Sequence, residues 1–338
     1  MRDYIIRRLL LVPPIMLGVS FMTFAIFRII PGDAAVMICQ FQCTPETLRD
    51  IRHELGLDRP WYEQYGDWLW DISEPMLHDK VFGLDLHGLK VPGPKFDLGH
   101  SFFTKVKVTE DLKHTLPVTG EIMVLGLLFA LLLGIPPGVL SAMRPGTILD
   151  WLARFSSVLW LSVPSFYLGM MTITFAFIWF GWTPPQFGQG YVPITRDPWT
   201  NLQEFVLPAL VLALGIAAVI MRLTRSSMLE VMRNDYIRTA WSKGLRERTV
   251  ILRHALKNAL IPVTTFVGLQ VGALIGGSVI IESVFGLQGI GRYVVAAIVQ
   301  RDLLVVQSVV LLFASAYVLV NLIVDVAYGW LDPRIHYA

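Results

Sequence analysis

Charged side chains are scarce in this chain of 338 residues. They make up 16% of it, whereas soluble domains carry roughly a quarter. Apolar residues reach 54%, and the mean hydropathy is +0.57. This composition excludes a disordered or fibrous chain and favours a membrane protein with several spans. The net charge of +2 indicates nothing about partners until the charges are placed along the chain.

Patterns that would carry catalysis or bind a cofactor are missing. No Gly-x-x-x-x-Gly-Lys-Ser/Thr phosphate loop occurs, so we expect the chain not to bind ATP itself. Gly286, Gly289 and Gly291 follow an apolar helical run and not a strand, which excludes a dinucleotide-binding loop. No His or Cys spacing is typical of a metal site, and no Ser/His/Asp set lies within an apolar run. We expect no enzyme activity, cofactor or metal in this chain.

Cysteine is limited to Cys39 and Cys43. Two cysteines are too few for a disulfide scaffold or a four-cysteine zinc site. Because both are predicted to face the oxidising side, they could close a small disulfide. Two unpaired thiols are the alternative, since the spacing alone does not fix the distance between the two Cα atoms.

Long uncharged apolar runs dominate what is present. A helix needs about 20 apolar residues to cross roughly 30 Å of hydrocarbon, and a backbone in lipid must satisfy its own hydrogen bonds. The sequence therefore predicts an all-α, polytopic membrane protein with six transmembrane helices. Kinks are predicted at Pro164 and at the pairs Pro13-Pro14 and Pro136-Pro137. The six runs are 9–27, 122–142, 155–181, 205–221, 259–281 and 303–324.

Basic residues gather on alternate sides of these runs. One side collects fifteen basic and six acidic residues, with nine of the basic ones between Arg222 and Lys257. The stretch 31–115 carries nine basic and fourteen acidic residues, but it is too long to inform the orientation. By the positive-inside rule, we expect both termini to be cytoplasmic. The predicted parts are a cytoplasmic N-terminus with the first transmembrane helix at 1–30, an external segment at 31–116, and a five-helix core domain at 117–338 with a cytoplasmic loop at 222–258.

The loop at 222–258 is much longer than most connections between helices. Apolar residues recur at helical spacing up to Ala240 and again from Val250 to Leu256. Gly244 separates the two patterns and, because it has no Cβ, can adopt a positive φ in a sharp turn. The basic residues on the other faces suit anionic lipid headgroups or an acidic groove on a cytoplasmic partner. A pair of surface helices that only anchors the fold is the alternative.

Two stretches of this loop, DYIRTAWSKGL at 235–245 and RHALKNALIP at 253–262, resemble the cytoplasmic coupling loop of binding-protein-dependent ABC importer permeases. Arg238-Thr239 stand where Glu-Ala is usual in that superfamily, and the second stretch lies further from Gly244 than in the general motif. Both departures resemble features of the peptide and nickel branch. Further landmarks of this branch follow one another along the whole chain. They are PGDA (31–34), LGLDRP (55–60), DLGHS (97–101), TLP (115–117), SVPSF (162–166), RLTRSSM (222–228) and ESVFGLQGIG (282–291).

The resemblance implies the type I ABC importer permease fold and the transport of dipeptides or oligopeptides across a bacterial or archaeal plasma membrane. It also implies a second, homologous permease in a heterodimer, two cytoplasmic ATPase subunits that bind ATP and Mg, and an external solute-binding protein. Nickel or glutathione import is the alternative within the branch. A secondary transporter would need ionisable groups deep in its spans and symmetry between its halves, and the sequence has neither. Lipid is an expected partner and nucleic acid is not.

Several residues are assigned to function by this resemblance and by their position. Glu282, at the outer end of the fifth run, is a candidate for contact with a peptide ammonium group or for the outer gate, and a local pairing role is its alternative. Glycines of the fifth run, such as Gly272 and Gly276, predict close helix packing. The stretch 78–95 is either an insertion that meets a binding protein or a tolerated loop. Expected ATPase-coupling residues are Asp235, Tyr236, Arg238, Thr239, Ala240, Lys243 and Gly244; candidates for the translocation path or gate are Gln270, Ser278, Glu282 and Asn321.

Overall fold

The computed structural model describes residues 2–29, 35–36, 44–54, 57–78, 98–101, 103–183 and 191–331. Within these residues the regular structure is helical, apart from one isolated bridge between His100 and Lys107, so the prediction of an all-α protein is confirmed. The helices are α1 Arg2–Ile29, α2 Pro45–Glu54, α3 Trp61–His78, α4 Val108–Met143, α5 Ile148–Ser162, α6 Ser165–Phe180, α7 Pro198–Val231, α8 Asp235–Ser242, α9 Glu247–Thr249, the π-helix π1 Val250–Ala255, α10 Leu256–Ala259, α11 Ile261–Phe285, α12 Ile290–Gln300 and α13 Leu303–Leu331.

Three of these helices, α4, α7 and α13, are long and apolar enough to cross a membrane. Two bent pairs raise the number to five if each pair is one span: α5 with α6, and the two parts of α11 on either side of a 52° bend. In α1, the apolar stretch Leu10–Ile26 is shorter than the other spans. The predicted count of six therefore stays a prediction.

The bend between α5 and α6 has its origin in Pro164. Val163 is extended (φ −100°, ψ 125°), as expected for a residue before proline, and Pro164 precedes the first residue of α6. The two helices meet at 103°, which confirms the predicted break at this proline. The other two proline pairs lie inside α1 and α4, which continue through them.

Glycines on α4 let this helix approach α7 closely. A Cβ added at Gly134 would lie 2.6 Å from Cγ2 of Ile220, and one added at Gly138 would lie 2.7 Å from the carbonyl oxygen of Met221. Small residues permit such contacts where a larger side chain would hold the backbones apart. Of the three long spans, α7 is the most buried, and it forms the centre of the apolar core around Phe205, Ile216 and Ile220.

The chain forms two compact units. The first comprises Met1–Ile5, Pro117–Arg292 and Tyr317–Ala338, and the second comprises Ile6–Leu116 and Tyr293–Ala316. In the second unit, Oγ of Ser101 donates a hydrogen bond to the buried carboxylate of Asp302 at 2.6 Å. Oγ of Ser308 donates to the carbonyl oxygen of Leu98 at 3.3 Å. These bonds fasten the stretch 98–101 to the amino end of α13.

Candidate functional site: the segment around α8

The predicted loop at 222–258 begins as helix. The 34 residues of α7 extend about 51 Å at 1.5 Å per residue, which exceeds the roughly 30 Å of hydrocarbon. The apolar run ends at Met221, but α7 continues to Val231 because Thr224, Ser227 and Met228 still pack on the buried side. The loop proper is therefore shorter than the sequence predicts, and its first part is rigidly continuous with a span.

The sharp turn predicted at Gly244 is present. After α8 ends at Ser242, Gly244 has a φ of +71°, and its N–H donates to the carbonyl oxygen of Trp241 at 2.9 Å. No atom lies within 4 Å of a Cβ added at this glycine. Glycine is thus required here by the left-handed backbone conformation and not by lack of space.

One face of α8 is buried within the chain. Ile237 and Ala240 pack into an apolar cluster with residues of π1 and with the ends of α4 and α7. Ala240 is only 6% exposed, so its side chain supports α8 from within. The part expected of Ala240 in coupling to an ATPase subunit stays a prediction. The members of the cluster are Val139, Ala142, Met228, Ile237, Ala240, Val250, Ile251, Ala255 and Ala259.

The opposite face of α8 and the turn after it, called here the coupling face, is exposed. Its aromatic side chains, Tyr236 and Trp241, are 40% and 41% exposed, and Leu245 follows at 37%. Large apolar side chains that stay exposed beside basic ones are typical of protein-binding surfaces. The sequence pattern alone does not distinguish Trp241 and Leu245 as surface residues, although both lie inside the stretch 235–245. The coupling face consists of Asp235, Tyr236, Arg238, Thr239, Trp241, Lys243, Gly244 and Leu245.

Few bonds restrain the polar groups of the coupling face. Arg238 and Asp235 form an ion pair at 3.3 Å, with side chains 75% and 93% exposed, and a pair so exposed contributes little to stability. The hydroxyl of Tyr236 accepts a hydrogen bond from Nδ2 of Asn258 at 2.8 Å, which ties α8 to the residues just before α11. The charged groups therefore remain available to a partner, while the helix itself is held in place.

A buried ion pair, which the sequence did not indicate, joins this region to α5. Nε and Nη2 of Arg225 donate to the two carboxylate oxygens of Asp150 at 2.7 and 3.1 Å, and Asp150 is 1% exposed. The carboxylate also accepts from Oγ of Ser141 and, at 2.9 Å, from the N–H of Gly146. Four donors of this kind satisfy a buried carboxylate. The pair thus connects α4, α5 and α7 just before the coupling face.

The far end of α11 holds a second buried carboxylate, Glu282. It is fully buried and accepts hydrogen bonds from Oγ1 of Thr119 at 2.8 Å and from the N–H of Arg292 at 3.0 Å. Thr119 in turn accepts from the N–H of Ile290 at 2.8 Å. A Cβ added at Gly289 would lie 2.4 Å from Cδ of Glu282. The structure thus shows local hydrogen bonds at Glu282, whose side chain is not exposed. Contact with a peptide ammonium group and a part in the outer gate stay predictions.

The other candidates for the translocation path differ in exposure. Ser278 is fully buried and donates to the carbonyl oxygen of Ile275 in its own helix at 2.9 Å, whereas Gln270 and Asn321 are half-buried. Gly272 lies so close to α13 that an added Cβ would be 2.3 Å from the ring of Tyr317, while Gly276 faces open space. The predicted close packing at the glycines of α11 is therefore confirmed at Gly272.

Another polar group near the beginning of α7 was not indicated by the sequence. The hydroxyl of Tyr191 donates to Oε2 of Glu121 at 2.9 Å, and Nδ2 of Asn201 donates to the carbonyl oxygen of Val192 at 3.0 Å. Burial raises the pKa of Tyr191 to about 12, and the hydrogen bond to Glu121 adds to this rise. The phenol therefore stays protonated and fastens the stretch before α7 onto α4.

Some predictions fall on residues that the structure does not describe. Cys39, Cys43 and nearly all of the stretch 78–95 lie outside the described residues, so the possible disulfide and the role of that stretch stay predictions. Among the residues that are described, no group of three or more His, Cys, Asp or Glu side chains could hold a metal ion.

Comparison with known proteins identifies relatives over the whole length. Residues 134–337 match the family "Binding-protein-dependent transport system inner membrane component", and residues 1–123 match the N-terminal family of such membrane components. The chain is 37% identical to the dipeptide transport system permease protein DppB of Alkalihalophilus pseudofirmus over 358 residues, covering 100% of both chains. It is 38% identical to the protein of the same name from Escherichia coli K12 over 359 residues, covering 100% of this chain and 99% of the relative.

A solved structure shares the fold. A chain of the MetNI methionine ABC transporter in an inward-facing conformation superposes with a TM-score of 0.51 at 18% identity, covering 67% of this chain and 98% of that one. This likeness confirms the predicted ABC importer permease fold. Together with the family matches and the apolar helices, it leads to one conclusion: the chain is a multi-pass membrane protein and belongs to the binding-protein-dependent transport system inner membrane component family.

Proposed function

We propose that this chain is the permease subunit of an ATP-driven importer that moves dipeptides or oligopeptides delivered by an external solute-binding protein. Two relatives that match it over essentially their full length are named as dipeptide permeases. The proposal depends on the coupling face, which is an exposed aromatic and basic surface on a short helix. The other face of this helix is buried in the apolar cluster. Such a surface suits a partner subunit that supplies the energy.

The partners follow from the same proposal. Two cytoplasmic ATPase subunits bind ATP and Mg and receive the coupling face, and a second, homologous permease completes the translocation path. Both termini and the coupling face are cytoplasmic, because fifteen of the 28 basic residues fall on this side. The host membrane is a bacterial or archaeal plasma membrane. Gln270 and Asn321, half-buried polar residues of the first unit, are candidates for contact with peptide backbone.

Force is transmitted in two steps. Closure of the ATPase dimer moves α8 through the coupling face. The apolar cluster passes this displacement to the ends of α4 and α7, because its members are buried against one another and packed protein interiors transmit strain. The pair of Asp150 and Arg225 makes α5 follow the same movement. Rigid-body rotation of these helices then alternates access to the substrate path.

The substrate is tested with the complete importer in proteoliposomes. We expect uptake of a labelled dipeptide that depends on the binding protein and on ATP, together with peptide-stimulated ATP hydrolysis. The matched control replaces the dipeptide with nickel chelate or glutathione, the substrates of the alternative. Uptake of one of these without uptake of peptide would reject the peptide assignment and keep the importer. Uptake of peptide without ATPase subunits would reject the importer itself.

A further inference from the structure

Helix α5 is polar on its buried side and apolar on its exposed side. Its two buried residues are Asp150 and Ser157, whereas large exposed apolar side chains cover the opposite side. At 3.6 residues per turn, six of these side chains fall within an arc of about 120°, and Asp150 and Ser157 point away from it. A helix in water shows the reverse arrangement. The six residues, called here the apolar face of α5, are Ile148, Trp151, Leu152, Phe155, Val158 and Leu159.

The level of the apolar face in the membrane follows from the contacts between α5 and α7. Asp150 is bonded to Arg225, which lies about 6 Å beyond Met221, the last residue of the apolar run in α7. Further along α5, Trp160 packs on the apolar core of the first unit. The hydrocarbon layer is about 30 Å thick, and the headgroups add about 5–7 Å on each side. Helix α5 therefore begins at the level of the headgroups and runs into the hydrocarbon.

Two side chains near the beginning of α5 suit the boundary between headgroups and hydrocarbon. The ring of Trp151 stacks on that of Phe155, with the ring centroids 5.2 Å apart, and indole rings favour this boundary. Arg154 lies beside the apolar face, about 40° around the helix from Val158. Its side chain is 54% exposed, and its Nε lies 3.5 Å from Oδ1 of Asp150, one turn earlier. The guanidinium thus reaches back toward the headgroups, as long basic side chains do at membrane surfaces.

The apolar face differs from the helix contacts within the chain. Membrane helices approach each other closely where small residues face the partner, as Gly134 and Gly138 of α4 do toward α7. The apolar face consists of large side chains. The polar residue within its arc, Ser162, donates to the carbonyl oxygen of Val158 in its own helix at 2.8 Å. This face therefore suits acyl chains better than a second protein helix.

We propose that an anionic phospholipid of the cytoplasmic leaflet binds along α5, with its acyl chains on the apolar face and its headgroup phosphate at Arg154. A basic side chain near the membrane surface attracts anionic headgroups, and Arg154 supplies this charge at the level where the apolar face begins. The cytoplasmic leaflet is assigned from the orientation given in the proposed function, whereas the contact itself does not depend on it. The second permease consequently packs on another side of the chain.

The experiment uses the complete importer in nanodiscs of phosphatidylglycerol and phosphatidylcholine, with a diazirine on the acyl chain of one lipid at a time. Mass spectrometry of peptides measures labelling at Phe155, Val158 and Leu159. We expect about fivefold more labelling from phosphatidylglycerol, the ratio that corresponds to about 1 kcal/mol per basic residue. Arg154→Gln should remove this preference. Arg233→Gln, the matched control, should keep it, because this exposed residue follows α7, whose last ten residues extend about 15 Å beyond the apolar run.

Three results would overturn the proposal. Labelling of other spans without labelling of α5 would mean that another protein subunit covers the apolar face. Equal labelling by the two lipids in the unaltered importer would show that α5 has no site for an anionic headgroup. A preference for phosphatidylglycerol that survives in the Arg154 variant would place the phosphate elsewhere. Peptide uptake in proteoliposomes is measured separately, so a failure of the lipid site is distinguishable from a failure of the proposed function.

Discussion

The two ends of α11 differ in how their polar groups are used. At its far end, the carboxylate of Glu282 accepts hydrogen bonds from Oγ1 of Thr119 and from the N–H of Arg292 after the helix, and none of its side chain is exposed. Before its beginning, α8 leaves Tyr236, Trp241 and its charged groups exposed. A carboxylate near the end of a span therefore does not by itself indicate a substrate site. The coupling face differs from the surroundings of Glu282 in that its polar and aromatic side chains stay exposed.

The largest effect is expected at the pair of Asp150 and Arg225. Asp150→Ala removes the carboxylate that pairs with Arg225, and little water can reach the guanidinium in its place. We expect the free energy of unfolding to fall by about 3 kcal/mol. This value is at the low end for a broken buried pair, because Arg225 is 25% exposed. Chemical unfolding of the purified chain measures this loss. Arg154→Ala is the control, since Arg154 reaches the same carboxylate only at 3.5 Å and is 54% exposed. Equal losses in the two variants would show that the pair is not a structural connection.

A loss of about 1–3 kcal/mol is expected for Thr119→Val, which keeps the shape of the side chain and removes its hydroxyl. Glu282 then loses a donor and the N–H of Ile290 loses its acceptor. Thr174→Val is the control, because that exposed hydroxyl donates only to the carbonyl oxygen of Met170 in its own helix. Thermal unfolding in detergent distinguishes the two variants. A Thr119 variant as stable as the control would contradict the network described around Glu282.

Gly244→Val should cost about 1–2 kcal/mol, since a residue with a Cβ is disfavoured at positive φ. Gly181→Val introduces the same strain at a turn with φ +63° and equally open surroundings. Both variants should insert with similar stability, but only the Gly244 variant should lose peptide-stimulated ATP hydrolysis in proteoliposomes. If the two retain equal stimulated hydrolysis, the turn after α8 has no part in coupling.

The smallest effect is expected at the ion pair of the coupling face. Arg238→Gln removes a pair that is highly exposed on both sides, so the free energy of unfolding should change by less than about 1 kcal/mol. A loss of stability as large as that of the Thr119 variant would mean that this part of the coupling face is held inside the chain.

Local features of the fold could be predicted where one residue type decides the backbone. Pro164 predicts the break between α5 and α6, because proline lacks the N–H that a continuous helix needs. Gly244 predicts the turn after α8, because only glycine adopts the positive φ of this turn without strain. The extension of α7 to Val231 could not be predicted in this way. Polar residues after Met221 resemble a loop in the sequence, and only their packing shows that the helix continues.

The contacts that build the site depend on residues far apart in the chain. Asp150 and Arg225 are 75 positions apart, and Thr119 and Glu282 are 163 apart, so neither pair produces a pattern at helical spacing. The side chain of Ala240 illustrates the same difficulty, since the helical pattern of α8 does not reveal that its apolar face is covered by π1. The resemblance identified the segment, but the division into a buried and an exposed face required the structure.

Binding of the ATPase subunits to the permease tests most directly whether the coupling face is their contact surface. Trp241→Ala removes an exposed aromatic side chain from the centre of this face, and Trp199→Ala removes one that is 70% exposed at the beginning of α7. The affinity of the purified ATPase subunits for the permease heterodimer in nanodiscs is measured for both variants. We expect about tenfold weaker binding for the Trp241 variant and unchanged binding for the Trp199 variant. Equal affinities would contradict the assignment of the coupling face.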